Sequence, residues 1–268
     1  KYGGRVASVL DIYQKEGNKN EFRANGGIGL VSSRVLFEGP LEKEKGSFLF
    51  GGRSTYAHLF LPLFDINNIA YFYDINTKLS YRLNADNKIY LSGYFGRDVF
   101  NVSNNFENTY GNTVVNFRWN HLFSDKLFSN LSLIYSDYYY GLDLNFVGFK
   151  WNSGIQNMNV KFDLKQYLND RFSSEYGLHS TYYGFNPGII QPNGPTSGIN
   201  REELTKKNAF ENAVYLDIKQ QVSEKMSLRY GARLSSFLRL GQDELNRYDD
   251  DNPLIFNPEL QIYQAVDP

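Results

Sequence analysis

Residues 73–83 read YDINTKLSYRL, and this stretch decides the fold class. Its odd-numbered positions are mostly large and apolar, whereas its even-numbered positions are polar or charged and include Asp74, Lys78 and Arg82. A period of two over such a run indicates a β-strand with one apolar face and one wetted face. The run is roughly twice as long as a typical strand and close to the length that crosses a bilayer at a tilt.

Four further segments alternate in the same way, at residues 115–120, 157–165, 214–219 and 227–234. The composition agrees, because Tyr and Phe number 21 each while the mean hydropathy is −0.48. Many rings with a polar mean are typical of a wall that faces lipid on one side and water on the other. The sequence therefore predicts an all-β fold, a transmembrane antiparallel β-barrel.

The connections between strands fall into two alternating classes. Short charged turns are predicted at residues 40–46, 84–87, 124–126, 169–171 and 223–225, and long loops at 59–69, 98–112, 139–153, 184–208 and 240–257. Short turns at one rim and long loops at the other are the layout of outer-membrane barrels. We therefore expect about eleven barrel strands in the bacterial outer membrane, surrounded by its lipid and lipopolysaccharide.

Several functional classes are not supported by the sequence. The net charge of −1 shows no basic excess, so no nucleic-acid partner is predicted. The three histidines lie on different hairpins without a visible catalytic triad, and the acidic run at residues 249–252 matches no standard calcium loop. We predict no catalytic residue, no cofactor and no metal site, and hence no enzyme.

The polar positions of the strands are predicted to face the barrel interior. Candidates that would meet a plug or a solute are Asn116, Arg118, Lys161, Asp163, His179, Arg229 and Arg233. Substrate contact is expected mainly in the upper lumen, around residues 185–200, where three prolines predict irregular structure. Rings at the lipid–water boundary are predicted at His121 and at the Tyr138–Tyr140 run.

An ordered series of segments resembles a known family. These are YGGRVASVLDI at 2–12, GGIGL at 26–30, LFEGP at 36–40, FGGRSTY at 50–56, YLSGYFGRD at 90–98 and RWNHLF at 118–123. They resemble the outer-membrane TonB-dependent receptors of the Bacteroidetes type. The resemblance implies a fragment, with the end of the plug domain at 1–15 and the N-terminal part of the barrel at 16–268. The fragment would form about half of a plugged barrel of about 22 strands.

The resemblance also implies a function. Such a receptor imports a scarce nutrient into the periplasm, with energy from the TonB–ExbB–ExbD system. The ligand class stays open between siderophore, cobalamin, peptide and glycan, and so does the presence of a surface lipoprotein lid. The alternatives are a small passive porin, a barrel enzyme with His179 beside a carboxylate at the outer rim, and a soluble β-sandwich.

Overall fold

The computed structural model describes Gly3 and residues 12–64, 68–195, 197–241, 254–257 and 262–265. The predicted plug strand at residues 2–12 lies outside the described residues except for Gly3 and Ile12, and so does the acidic run at 249–252. Within the described ranges, no helix is long and apolar enough to cross a membrane.

Strands make up most of the structure. In chain order they are β1 (Arg23–Ile28), β2 (Ser32–Glu42), β3 (Gly46–Thr55), β4 (Ile69–Arg82), β5 (Asn87–Val102), β6 (Phe106–Ser124), β7 (Leu127–Leu144), β8 (Phe149–Asn169), β9 (Phe172–Pro192), β10 (Glu202–Glu203), β11 (Lys207–Ser223), β12 (Met226–Leu240), β13 (Leu254–Asn257) and β14 (Ile262–Ala265). Three short 3-10 helices cover Ala57–Leu59, Leu61–Phe64 and Asn145–Val147.

The strands form one antiparallel sheet in which spatial order follows chain order. Its path runs from β1 through β9 to β11 and β12, and β10 adds a short pairing beside β9. The pair β13–β14 forms a separate hairpin. The predicted all-β antiparallel class is confirmed, and the eleven strands on the path match the predicted number.

The two faces of the sheet differ as the alternation predicts. On the outer face Phe117, Leu133 and Val160 lie in register on neighbouring strands and are 36%, 43% and 42% exposed. Leu79 and Leu234 are also exposed rather than packed in an interior. Among the described residues the only buried apolar side chains are Leu49, Ala209, Ala213 and Tyr215. The apolar surface therefore faces outward, which excludes a soluble sandwich with its packed core.

The five predicted short turns are confirmed. The strands are joined there by residues 43–45, 83–86, 125–126, 170–171 and 224–225. At four of these turns the register shifts by one residue, between Pro40/Glu42, Leu122/Ser124, Tyr167/Asn169 and Gln221/Ser223. Such bulges bend the strand ends and increase their twist, so this rim is built from tight, bulged hairpins.

The predicted long loops at 98–112 and 139–153 are wrong. The β5–β6 ladder continues to the pair Val102–Phe106, and the β7–β8 ladder continues to the pair Leu144–Phe149. The first hairpin closes through Ser103 and Asn104, whose φ angles of 50° and 57° are left-handed. These stretches have mixed composition, and a paired ladder satisfies the backbone whatever the side chains are.

The predicted irregular structure around residues 185–200 is wrong in its first half. β9 continues to Pro192, and Ile189 and Ile190 pair with Glu203 and Glu202 of β10. The connection to β11 is therefore residues 193–206. By contrast, the described residues of the predicted loop at 59–69, which are 59–64 and 68–69, contain no strand before Ile69.

The central hairpins are much longer than a bilayer requires. β8 and β9 have 21 residues each, whereas about ten residues cross the hydrocarbon layer. The outer face of β8 changes along its length, from Phe162, Val160 and Met158 near the short turns to Gln156, Asn152 and Lys150. This change marks the level at which the hairpins leave the apolar layer.

Candidate functional site

The inner face of the sheet surrounds a cavity of about 960 Å³. Side chains from β4 to β9, β11 and β12 line it, together with Ile12, Tyr13 and Gln14 from the segment before β1. The lining positions are those of the polar parity, because alternate residues of a strand point to the same face. The cavity is therefore a direct product of the alternation in the sequence.

Six of the seven candidate residues lie on this cavity. They are Asn116 and Arg118 of β6, Lys161 and Asp163 of β8, His179 of β9 and Arg233 of β12. Arg229 does not line the cavity, and its Nε donates to Oδ1 of Asp217 at 2.8 Å. That these residues contact a plug or a solute stays a prediction.

Other lining residues were not among the candidates. They include Lys78, Tyr90, Tyr94, Tyr183 and Glu211. Lys78 could have been found, because it shares the polar parity of residues 73–83. The tyrosines could not be separated from membrane-facing rings by composition, since tyrosine is common on both sides of such a wall.

One side of the cavity carries a satisfied acidic cluster. Oδ1 of Asp163 lies 3.0 Å from Nε2 of His179 and accepts a hydrogen bond from the Tyr215 hydroxyl at 2.6 Å. Tyr215 is only 5% exposed. On the next row Tyr183 donates to Glu211 at 2.8 Å. These contacts join β8, β9 and β11, so the acidic side chains brace the wall.

His179 does not occupy the position that the barrel-enzyme alternative requires. It lies beside a carboxylate as that alternative predicts, but only seven residues after the start of β9 at a short turn. The predicted position was the opposite, outer rim. Among the described residues no cluster of three or more His, Asp or Glu side chains is placed to hold a metal ion.

The adjoining part of the same wall, on β6 to β8, is cationic and less satisfied. Among the described residues, neither Arg118 nor Lys161 has a hydrogen-bond or ion-pair partner. The Nε atom of Arg118 and the Oδ1 atoms of Asn116 and Asn159 are inaccessible to solvent and unpaired. Buried polar atoms are normally hydrogen-bonded, so this part of the wall is less fully satisfied than the acidic cluster.

Residues 12–22, called the strap below, precede β1, and their first part lies along the inner face before Phe22 reaches the outer-face rings Phe37 and Phe48. The ammonium group of Lys15 lies 3.1 Å from Glu38 of β2, and Lys88 of β5 lies 2.6 Å from Glu16. Lys78 of β4 donates to the Gln14 carbonyl. The strap is therefore held by charged contacts to three strands of the wall.

Glu16 is the electrostatic centre of the strap. Burial by itself raises the pKa of the Glu16 carboxyl, but hydrogen bonds from Lys88 and Lys19 outweigh it and lower that pKa to about 2. Lys19 approaches the same carboxylate to 3.0 Å. Glu16 therefore stays ionised between its two lysines at neutral pH.

The structural neighbours of the chain are large membrane receptors. The copper transporter OprC matches 83% of this chain and 38% of its own length, at 10% identity and a TM-score of 0.64. The siderophore receptor PirA from Pseudomonas aeruginosa matches 83% of this chain and 35% of its own length, at 15% identity and a TM-score of 0.54. PirA from Acinetobacter baumannii gives 11% identity, a TM-score of 0.60, and coverage of 83% and 37%.

These neighbours are TonB-dependent receptors with outer-membrane β-barrels. The fold is that of part of an outer-membrane β-barrel. The chain spans a little more than a third of the length of the neighbours it matches. No protein-family model matches the sequence, and a search of curated proteins finds no match.

Aromatic side chains lie at the short-turn rim of this barrel wall. On the outer face of β6, His121 contacts Trp119 and Phe123, with ring centroids 5.6 Å and 4.4 Å apart. Asn87 bridges the Trp119 and His121 rings.

Of the Tyr138–Tyr140 run, Tyr139 shares the outer parity, whereas Tyr140 points inward and packs on Trp151. The predicted girdle role is therefore wrong for Tyr140, and Tyr138 shares its inner parity, because the run spans both faces of β7.

Proposed function

We propose that the chain is part of a TonB-dependent receptor that imports a scarce nutrient across the bacterial outer membrane. The observation that carries the proposal is the strap, which lies inside the wall and is ion-paired to β2 and β5. Chain entering the lumen directly before the first barrel strand is the arrangement expected of a plugged barrel. A passive porin needs an open lumen instead.

The structural neighbours support the same class of protein. One is named for copper and two for siderophores, and all are transporters or receptors rather than enzymes. Their identity of 10% to 15% favours no single nutrient for this chain. We therefore propose a receptor without covalent chemistry, and the choice between siderophore, cobalamin, peptide and glycan is left to experiment.

The proposal includes the rest of the receptor. A plug precedes the strap, further strands complete a barrel of about 22, and the TonB–ExbB–ExbD system supplies energy. Residues 1–15 belong to the plug and residues 16–268 to the barrel. The Bacteroidetes-type identity rests on the sequence segments quoted above. Whether a lipoprotein lid covers the receptor is a separate question, which identification of its binding partners in the membrane will answer.

Nutrient-limited growth tests the proposal. Wild-type cells, cells lacking this protein and cells lacking TonB are grown with iron, copper, cobalamin, peptide or glycan as the limiting nutrient. We expect one nutrient to support only the wild type, because import needs both the receptor and its energy source. Uptake that requires this protein but continues without TonB would overturn the proposal. A steady open-channel current from the purified protein in planar bilayers would instead favour the porin.

A further inference from the structure

The cationic side of the cavity is organised by strand register. Arg118, Ser132, Lys161 and His179 form one continuous row across β6, β7, β8 and β9. Neighbouring strands are about 4.8 Å apart, so the backbones of Arg118 and Lys161 are about 10 Å apart with the small Ser132 between them. Two long cationic side chains can converge over such a gap on one anionic group.

The neighbouring row adds hydrogen-bonding groups to the same place. Asn116, Ile134 and Asn159 lie in register one step toward the long hairpin ends. The amides of Asn116 and Asn159 flank the gap, and their Nδ2–H groups, rather than the Oδ1 acceptors, are the atoms that can donate to an anion. Lys78 lies beside the row, with its ammonium group 5.4 Å from the centre of the Tyr90 ring.

The charges of the described lining residues do not balance. Four of these residues are cationic, Lys78, Arg118, Lys161 and Arg233, and two are acidic, Asp163 and Glu211. Both acids are held by neighbouring side chains on the β9–β11 side. Neither acid makes an ion pair with Arg118 or Lys161, which face a region of restricted solvent where charge interactions are stronger than in bulk water.

We propose that Arg118, Lys161 and the flanking Asn116 and Asn159 form a binding site for an oxyanion, with a carboxylate as the simplest case. This inference rests on the proposed function, because it assigns a chemical class to the group held inside the receptor. The carboxylate belongs either to the imported solute or to the polypeptide that precedes the strap. Both sources present the same chemistry to the wall, and two measurements separate them.

The first measurement is equilibrium dialysis of the full-length receptor in detergent, with radiolabelled citrate as the probe at low ionic strength. If the solute is the source, the wild type binds citrate, and Arg118→Gln and Lys161→Gln each weaken binding by about tenfold or more. Lys150→Gln is the matched control, because it also removes one positive charge but lies on the outer face, paired with Asp143. Measurable citrate binding that is equal in all four proteins would refute the site.

The second measurement is the thermal midpoint of the same proteins without citrate. If a carboxylate of the preceding polypeptide fills the site, the wild type does not bind citrate, and Arg118→Gln and Lys161→Gln lower the midpoint more than Lys150→Gln does. Absence of both citrate binding and this selective loss overturns the proposal. Neither measurement involves TonB, so uptake that proved independent of TonB would sink the proposed function and leave the oxyanion site standing.

Discussion

Individual side chains on the inner wall differ in how well their charge is compensated. Glu16 is held by two lysines, Asp163 by His179 and Tyr215, and Arg229 by Asp217. Arg118 has no such partner among the described residues. Compensated groups brace the wall, because breaking a pair leaves a charge in poor solvent. Uncompensated groups are the ones available to bind something else.

Replacing Glu16 by Gln should remove a pH-dependent contribution to stability. The pKa of Glu16 is about 2 in the folded protein and ordinarily 4.5, so its ionised form stabilises the fold fully above about pH 4.5. That contribution is lost as the pH falls toward 2. We expect Glu16→Gln to lower stability by about 1 kcal/mol at pH 7, after allowance for solvent screening, and by nearly nothing at pH 2.

Thermal midpoints of the wild type and Glu16→Gln at pH 7 and pH 2 provide the measurement. The control is Glu21→Gln, because Glu21 pairs with Arg23 at a site where both side chains are about 60% exposed. If Glu16→Gln lowers the thermal midpoint as much at pH 2 as at pH 7, the carboxylate acts through its shape rather than its charge.

At the scale of elements, the strap depends on close contact as well as on charge. A Cβ atom at Gly17 would lie 2.0 Å from the carbonyl oxygen of Phe48 and 3.3 Å from the backbone nitrogen of Leu49. These backbone atoms belong to β3, which pairs with β2 and β4 and so cannot retreat easily. Glycine is therefore needed where the strap crosses β3.

Gly17→Ala should displace the strap from the wall. The added methyl group forces the strap away from β3 and weakens the Lys15–Glu38 and Lys88–Glu16 contacts, with an expected cost of about 1–3 kcal/mol. Limited trypsin digestion measures the effect, because cleavage after Lys15 and Lys19 should become faster. Gly198→Ala is the control, since nothing lies within 4 Å of its Cβ position. Unchanged cleavage in Gly17→Ala would contradict a strap held by close contact.

At the scale of the whole molecule, the sheet is a wall between two solvents. Its outer face carries a continuous apolar band, of which the row Phe117–Leu133–Val160 is the middle, with Trp119 on one side and Val115 on the other. Its inner face is polar at the same level, where Asn116 and Lys161 line the cavity. The effect of a substitution on stability therefore depends on which face of the sheet carries it, rather than on how deeply the residue lies in a core.

Arginine substitutions on the two faces should differ sharply in how much they destabilise the folded protein. Leu133→Arg places a charge in the middle of the apolar band, where the cost is about 2–4 kcal/mol. Asn130→Arg on the same strand faces the wet cavity and should be tolerated. Folding of the full-length protein into liposomes, followed by the heat-dependent shift of its gel mobility, measures the folded fraction. Equal folding of both variants would mean that Leu133 does not face lipid.

Much of this architecture follows from local sequence. The faces of β4, β6, β8, β11 and β12 could be predicted because alternation is a property of a single strand. The short turns could be predicted because turn-forming residues interrupt that alternation. For the same reason, all seven candidate residues share the polar parity of their strands, and six of them meet in one cavity.

Tertiary structure decided the rest, because it depends on register between strands. Residues 98–102 and 149–153 mix polar residues with apolar and aromatic ones, and pairing with distant segments keeps them in strands. Register also gives Arg229 a carboxylate partner in Asp217 and leaves Arg118 and Lys161 facing each other across Ser132. The sequence of a single strand determines which face of the sheet a residue lies on, but the neighbours of that residue on the same face belong to other strands. The sequence alone therefore determined the two-faced wall, and the fold determined which of its charges are left to bind.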